Sequence, residues 1–185
     1  VLRLADGMPV EHGALVEPTA VALHAVRRAG VTGRERVLVI GGGPIGQSVV
    51  LVLQALGVAE IYVSEISAGR RRLLEELGVP VIDPSAGDPV DALGRRGGPV
   101  DVVIDAVGST RSLADALEGT VLGGTVCLVG MGEPQVRLDA FQISTGERTL
   151  VGSFTYSARD FADAAALVAG NPLTADALIS RVIGP

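Results

Sequence analysis

The stretch Val37-Leu38-Val39-Ile40-Gly41-Gly42-Gly43-Pro44-Ile45-Gly46 decides the fold. Its first four residues are apolar and mostly β-branched, which suits a short buried strand. The spacing Gly41-x-Gly43-x-x-Gly46 then follows that strand and opens a helix. Gly41 permits the tight turn. Gly43 lacks a Cβ and lets the backbone approach a pyrophosphate. Gly46 lets the helix pack against the strand. Pro44 suits a first helical turn, where its missing N–H would have no helical partner. The free N–H groups and the dipole of the helix, read as Ile45 to Leu56, then face an anion. Alone, the motif serves equally well as a structural turn. Its surroundings have to decide.

Outward from this loop runs a strand–helix rhythm. Upstream, Leu15, Ala22 and Val26 give helical spacing over residues 13 to 30, with Gly30 as a stop. The first strand is Arg36 to Ile40 and the second Ile61 to Glu65. Ser67 is placed to cap a helix that ends near Gly78. Further strands read as Val79 to Ile82, Val100 to Val107, Thr125 to Gly130 and Thr149 to Thr155. Helical segments fall between most of them, including Leu113 to Glu118 and Ala158 to Val168. Ala177 to Ile183 reads as one more strand, stopped by Gly184-Pro185.

Strands that are apolar on both faces and alternate with helices indicate a parallel sheet covered on both sides. Six of them fit an α/β fold: a doubly wound, six-stranded Rossmann sheet with helices on both faces. Ligands in that fold bind at the carboxyl ends of the strands. The expected ends are Gly41, Glu65, Asp83, Val107, Gly130 and Thr155.

Composition narrows the function classes. The 185 residues carry a net charge of −6, which disfavours a sequence-independent grip on nucleic acid phosphates. No apolar run approaches the ~18 residues of a membrane span, and no signal peptide is visible. Cys127 is the one cysteine, so there is no intrachain disulfide and no cysteine cluster for a metal. A cytoplasmic location follows as the default. Cys127 itself, mid-strand, reads as a buried small hydrophobe. Val1 is not a start methionine and both ends look cut, so the expectation is a fragment of a longer protein.

Glu65 lies nineteen residues beyond Gly46, at the end of the second strand. An acid there is placed to accept hydrogen bonds from the adenosine ribose hydroxyls of a dinucleotide. Loop, acid and six-strand rhythm together outweigh a solvated carboxylate. A methyltransferase using S-adenosylmethionine shares the loop and the acid and stays an alternative. Of Arg70, Arg71 and Arg72, the last two sit four residues before Glu75 and Glu76, where helical ion pairs account for them. Arg70 is the one expected to reach the cofactor.

The run Gly13-Ala14-Leu15-Val16-Glu17-Pro18, then His24-Ala25-Val26-Arg27-Arg28, then the glycine loop itself, resembles the zinc-dependent medium-chain dehydrogenases. The sorbitol, 2,3-butanediol and threonine dehydrogenase branch is the nearest in look. This resemblance implies a cofactor-binding domain at 31–185. Residues 1–30 would be the trailing edge of a catalytic domain plus a linking helix. It implies NAD as cofactor, with zinc in the whole protein held mostly by ligands outside this chain. Glu17 would lie at or near that zinc. The substrate would be a small alcohol or polyol. Ala106, Val107 and Gly108 resemble the turn near the adenosine half. Val129, Gly130 and Met131 resemble the segment under the nicotinamide, and Ser153, Phe154 and Thr155 the stretch whose backbone holds the carboxamide. Pairing of cofactor domains through residues 136 to 154 would give a homodimer or homotetramer. A zinc-free, NADPH-linked quinone or enoyl reductase and a non-catalytic nucleotide-binding module are the competing readings. His24 is expected to be a packed helix residue, and His12 has no assigned role.

Overall fold

The computed structural model describes residues 3–182. A short 3-10 turn, Val10–His12, leads into helix α1, Gly13–Arg28. Strand β1 is Arg36–Ile40, and α2, Pro44–Ala55, starts three residues beyond the glycine turn. There follow β2 (Glu60–Ser64), α3 (Ala68–Glu76), β3 (Val81–Ile82), α4 (Pro89–Gly94) and β4 (Val100–Asp105). The second half holds α5 (Thr110–Glu118), β5 (Thr120–Leu128), α6 (Ala140–Ser144), β6 (Thr149–Gly152), α7 (Ala158–Gly170) and α8 (Pro172–Leu178).

The six strands form one sheet in the order β3-β2-β1-β4-β5-β6, and every pair is parallel. The order reverses between β1 and β4, so the crevice at their carboxyl ends is the switch point of the fold. Side-chain alternation sorts each strand between two layers. Val37 and Val39 of β1 join Val102, Ile104 and Cys127 in a core shared with α1, α2 and Leu74 of α3. Leu38 and Ile40 point the other way, into a core with Leu93, Leu113 and Leu117 of α4 and α5. Leu38 is fully buried, and truncating such a residue to alanine costs about 2–5 kcal/mol. α1 packs on α2 and α7. Its polar seam to α7 centres on Asp160, whose carboxylate accepts from Ser157, Arg27 and His24 Nδ1. Burial opposes ionisation of Asp160, yet those donors hold its carboxyl well below the usual range.

Several sequence expectations change. The strand expected at Ala177 to Ile183 does not form over the described residues: α8 runs to Leu178, and 179–182 have no regular structure. Ile183, Gly184 and Pro185 lie outside them. The cause is local, because Asn171-Pro172 starts a helix with proline in its first turn. Strand four ends at Asp105 instead of Val107, and strand six at Gly152 instead of Thr155. Ser67 occupies the cap position of α3, but its hydroxyl makes no capping bond. The short helices α4 and α6 were not foreseen. Each is opened by an aspartate, Asp88 or Asp139, that accepts a backbone N–H two residues on.

Candidate active site: the carboxyl ends of the strands

The glycine loop is built as its spacing suggests. Gly41 has φ of +95°, a conformation L side chains rarely adopt, and its N–H donates to the Ser64 carbonyl. A Cβ on Gly46 would stand 1.8 Å from the Gly41 oxygen, so only glycine allows the helix to come this close. Gly42 is enclosed too: its N–H donates to Glu65 Oε2 at 2.7 Å. Gly43 differs from these three. It is the N-cap of α2, and a Cβ there would meet only Arg70 Nη1, at 3.7 Å. The space over Gly43 is therefore kept clear by the absence of a side chain on Gly43, not by packing. Gln47, which carried no expectation, donates from Nε2 to the Gly42 carbonyl and braces the turn.

Glu65 follows the last residue of β2 and is 4% exposed. Its two oxygens are used separately: Oε2 accepts from Gly42 N–H and Oε1 from Ser67 N–H, each at 2.7 Å. A carboxylate offers about four acceptor sites, so part of its capacity is left. Arg70, half exposed, lies 3.7 Å from Oε2. Arg71 does not pair with Glu75. It reaches back to the Glu65 and Ile66 carbonyls and forms an ion pair with Asp83 at 2.6 Å. The strand-end acid Asp83 was within its reach only through the fold, which spacing along the helix does not report.

On the other side of the switch point, Asp105 ends β4 fully buried. Its Oδ1 accepts from Val107 N–H and Gly108 N–H, and its Oδ2 from the Ser112 hydroxyl. Burial pushes its carboxyl above the ordinary aspartate range, against those three bonds. Its main-chain oxygen takes the N–H groups of Val129 and Gly130. The loops after β4 and β5 then lock together, Gly132 N–H to Val107 O and Glu133 N–H to Gly108 O. Gly108 (φ +72°) and Gly130 approach so closely that a Cβ on Gly108 would lie 2.0 Å from the Gly130 oxygen.

At β6, Arg28 of α1 donates twice to the Gly152 carbonyl. Ser153 is 9% exposed, and its hydroxyl has no hydrogen-bond partner among the described residues. Phe154 is exposed, and Thr155 has φ of +56°, unusual for a β-branched residue.

A cleft of about 570 Å³ opens between the ends of β1, β2 and β4. It brings together Gly41, Gly43, Glu65, Arg70, Ala106 and Val107 from the sequence reading. It adds Ile66, Ser109, Arg111 and Asp115, which that reading passed over. The i, i+4 spacing of Arg111 and Asp115, an ion pair at 2.9 Å, was the available signal. Val129, Gly130, Met131 and the 153–155 segment do not line this cleft; they follow β5 and β6 at the same edge of the sheet. Pro44 lines a separate cavity of about 310 Å³ between α1, α2 and α3, and Ile45 packs against the α1/α2 core.

Glu17 stands exposed on α1, and among the described residues no group of three or more His, Cys, Asp or Glu could hold a metal ion. His12 is buried, with Nε2 2.7 Å from Asp176 of α8. Cys127 is buried in β5, and burial pushes its thiol up to about 11. Among the described residues no helix is long and apolar enough to cross a membrane.

This arrangement has close counterparts. The zinc-binding dehydrogenase family profile matches residues 44–170. The chain is 37% identical to (R,R)-butanediol dehydrogenase of Bacillus subtilis, over 99% of this chain and 53% of that protein. The crystal structure of the B. subtilis enzyme superposes with a TM-score of 0.86, covering 95% of this chain and 51% of the other. Sorbitol dehydrogenase of Macaca fascicularis is 36% identical, over 83% of this chain and 44% of that protein. A Sinorhizobium meliloti protein described as a zinc-binding dehydrogenase, solved bound to NADP, is 34% identical. Its TM-score is 0.83, covering 92% of this chain and 52% of the other. The chain thus spans about half the length of the curated relatives it matches.

Proposed function

Because the chain belongs to the zinc-binding dehydrogenase family, we propose that it is the cofactor-binding half of an NAD-dependent alcohol or polyol dehydrogenase. The whole protein would move a hydride from a secondary alcohol to NAD. The observation that carries the reading is Glu65: a buried carboxylate at the edge of the cleft, anchored by two backbone N–H groups and with acceptor capacity left.

The residues present fit a dinucleotide. Gly43 leaves open the N-terminus of α2, where backbone N–H groups and the helix dipole suit a pyrophosphate. Glu65 would accept the two ribose hydroxyls, with Arg70 beside it. Ala106 and Val107 would flank the adenosine half, while Val129, Gly130, Met131 and the backbone of Ser153, Phe154 and Thr155 would orient the nicotinamide end. When bound, the nicotinamide supplies the hydride acceptor. Residues 1–30 are then the join to the remaining half, and 31–185 the cofactor-binding domain.

The NADP-bound relative makes NADP the competing cofactor. Two features favour NAD. A 2′-phosphate would be set against the Glu65 carboxylate, and Arg71 is committed to Asp83. Glu17 we place beside the zinc of the whole protein. Glu17→Ala there should lower zinc content or turnover and spare NADH binding; unchanged zinc and turnover would make it a plain surface acid. A cytoplasmic location is our default reading.

We read the assembly as a homodimer or homotetramer formed along β6. That strand ends the sheet order, and Leu150, Phe141 and Leu122 are exposed near it. Light scattering should give an even multiple of the monomer mass; a monomer at high concentration would contradict this.

The chain contains no tryptophan, so the emission of NADH itself can follow binding. Titration should saturate, and S-adenosylmethionine should not compete. Mixed with NAD and sorbitol or butanediol, the chain alone should not turn over. An absence of NADH binding would contradict the reading.

A further inference from the structure

Asp105 is a fully buried acid on which the loops after β4 and β5 converge. Its carboxylate fixes the loop after β4 through Val107 N–H at 2.9 Å and Gly108 N–H at 3.0 Å. Its second oxygen is held by Ser112 of α5 at 2.8 Å. Its carbonyl receives Val129 and Gly130 from the loop after β5. The loops are cross-bonded at Val107–Gly132 and Gly108–Glu133, with Gly108 and Gly130 in contact too close for any side chain. The arrangement is stiff because every member is satisfied and nothing has space to shift.

We propose that Asp105 is a positioning residue for the cofactor: its side chain sets the 106–109 loop, and the cross-bonds pass that placement to residues 129–133. It does not touch the ligand. This rests on the reading that the strand ends hold a nicotinamide cofactor. The hydrogen bonding also dictates which replacement is tolerated. Both backbone N–H groups fall on Oδ1, and a single amide oxygen can accept both. The amide NH2 of asparagine would then face Ser112 Oγ, which keeps Ser109 N–H on one acceptor site and takes the amide on the other once the Ser109 hydroxyl turns away, while its own proton goes to the Ser109 carbonyl, 3.1 Å away. Asp105→Asn should therefore restore what Asp105→Ala loses.

The test compares the parent with Asp105→Ala, Asp105→Asn and Val103→Ala, the last being a buried residue of the same strand that touches neither loop bond. NADH is titrated well below each unfolding midpoint, and backbone hydrogen exchange is followed in the same proteins. Asp105→Ala should bind NADH about tenfold more weakly. Asp105→Asn should recover most of that, and Val103→Ala should stay within about twofold of the parent. Exchange in Asp105→Ala should quicken in 107–109 and also in 129–133, although the latter amides never touch the lost carboxylate. Unchanged affinity in folded Asp105→Ala, or exchange that quickens only in 107–109, would overturn the proposal. If Asp105→Ala does not fold, Ser112→Ala removes the Oδ2 donor together with the acceptor of Ser109 N–H at the start of α5, so the readout is the remote loop: NADH should weaken about threefold and exchange should quicken in 129–133, and unchanged exchange there would again overturn the proposal. A parent that binds no NADH defeats the cofactor reading and this role together, whereas a parent that binds beside an indifferent Asp105→Ala defeats this role alone.

Discussion

Two strands on opposite sides of the switch point end in a buried acid, and the two acids are wired differently. Glu65 after β2 spreads its anchors over both oxygens, Gly42 N–H on one and Ser67 N–H on the other. Asp105 at the end of β4 gathers two N–H groups on one oxygen and gives the other to Ser112. Glu65 borders an open cleft, and Asp105 is sealed. The same residue chemistry at equivalent strand ends thus divides into a carboxylate bordering an open cleft and one turned into the protein. Acceptor counting separates them where burial alone does not, since both are nearly inaccessible.

The largest consequence is an asymmetry between isosteric amides. In Glu65→Gln the NH2 group must face either Gly42 N–H or Ser67 N–H, donor against donor. That should cost about 2 kcal/mol of stability and a comparable share of NADH affinity. In Asp105→Asn both loop N–H groups keep an oxygen and only the Ser109 and Ser112 hydroxyls have to turn, so the loss should stay below about 1 kcal/mol. Urea unfolding of the pair measures both. Equal losses would erase the distinction between the two acids.

A smaller effect is the pH dependence. Burial raises the Asp105 carboxyl above the ordinary aspartate range, and the charge of Asp115 adds to this. The folded chain then binds that proton more tightly than the unfolded chain. The stability contributed by this group is complete below the ordinary aspartate value and is lost as pH rises through the raised one. Asp105→Asn has no such titration. The parent should lose ground to the variant across that mildly acidic window and run parallel to it above. Parallel curves throughout would show that Asp105 does not titrate differently in the two states.

The two acids were also unequally legible in the sequence. Glu65 could be found because the glycine loop fixes where the next strand must end, and an acid stands there. Six apolar strands and the helices after glycine turns were readable for the same reason: burial on both faces leaves runs such as Val100 to Ile104 with little polar content. Asp105 looked like the tail of such a run, and nothing along the chain reveals that three donors converge on it. The destination of Arg71 was hidden likewise, because helical spacing offered Glu75 while the fold offered Asp83. α4 and α6 are too short for a periodic signal, and only their aspartate caps mark them. The residues near 177–182 are apolar enough to suggest a strand, but the helix begun at Pro172 already claims the first of them.

Cofactor choice puts the central claim to the most direct test. NADH and NADPH are titrated into the parent and into Glu65→Ser. The parent should prefer NADH by about a hundredfold, since a nearly doubly charged 2′-phosphate would meet the Glu65 carboxylate and two hydroxyl hydrogen bonds would be lost. Glu65→Ser should lose most of that preference. Equal affinities in the parent, or a preference that survives the substitution, would contradict the assignment of Glu65 as the ribose-binding acid.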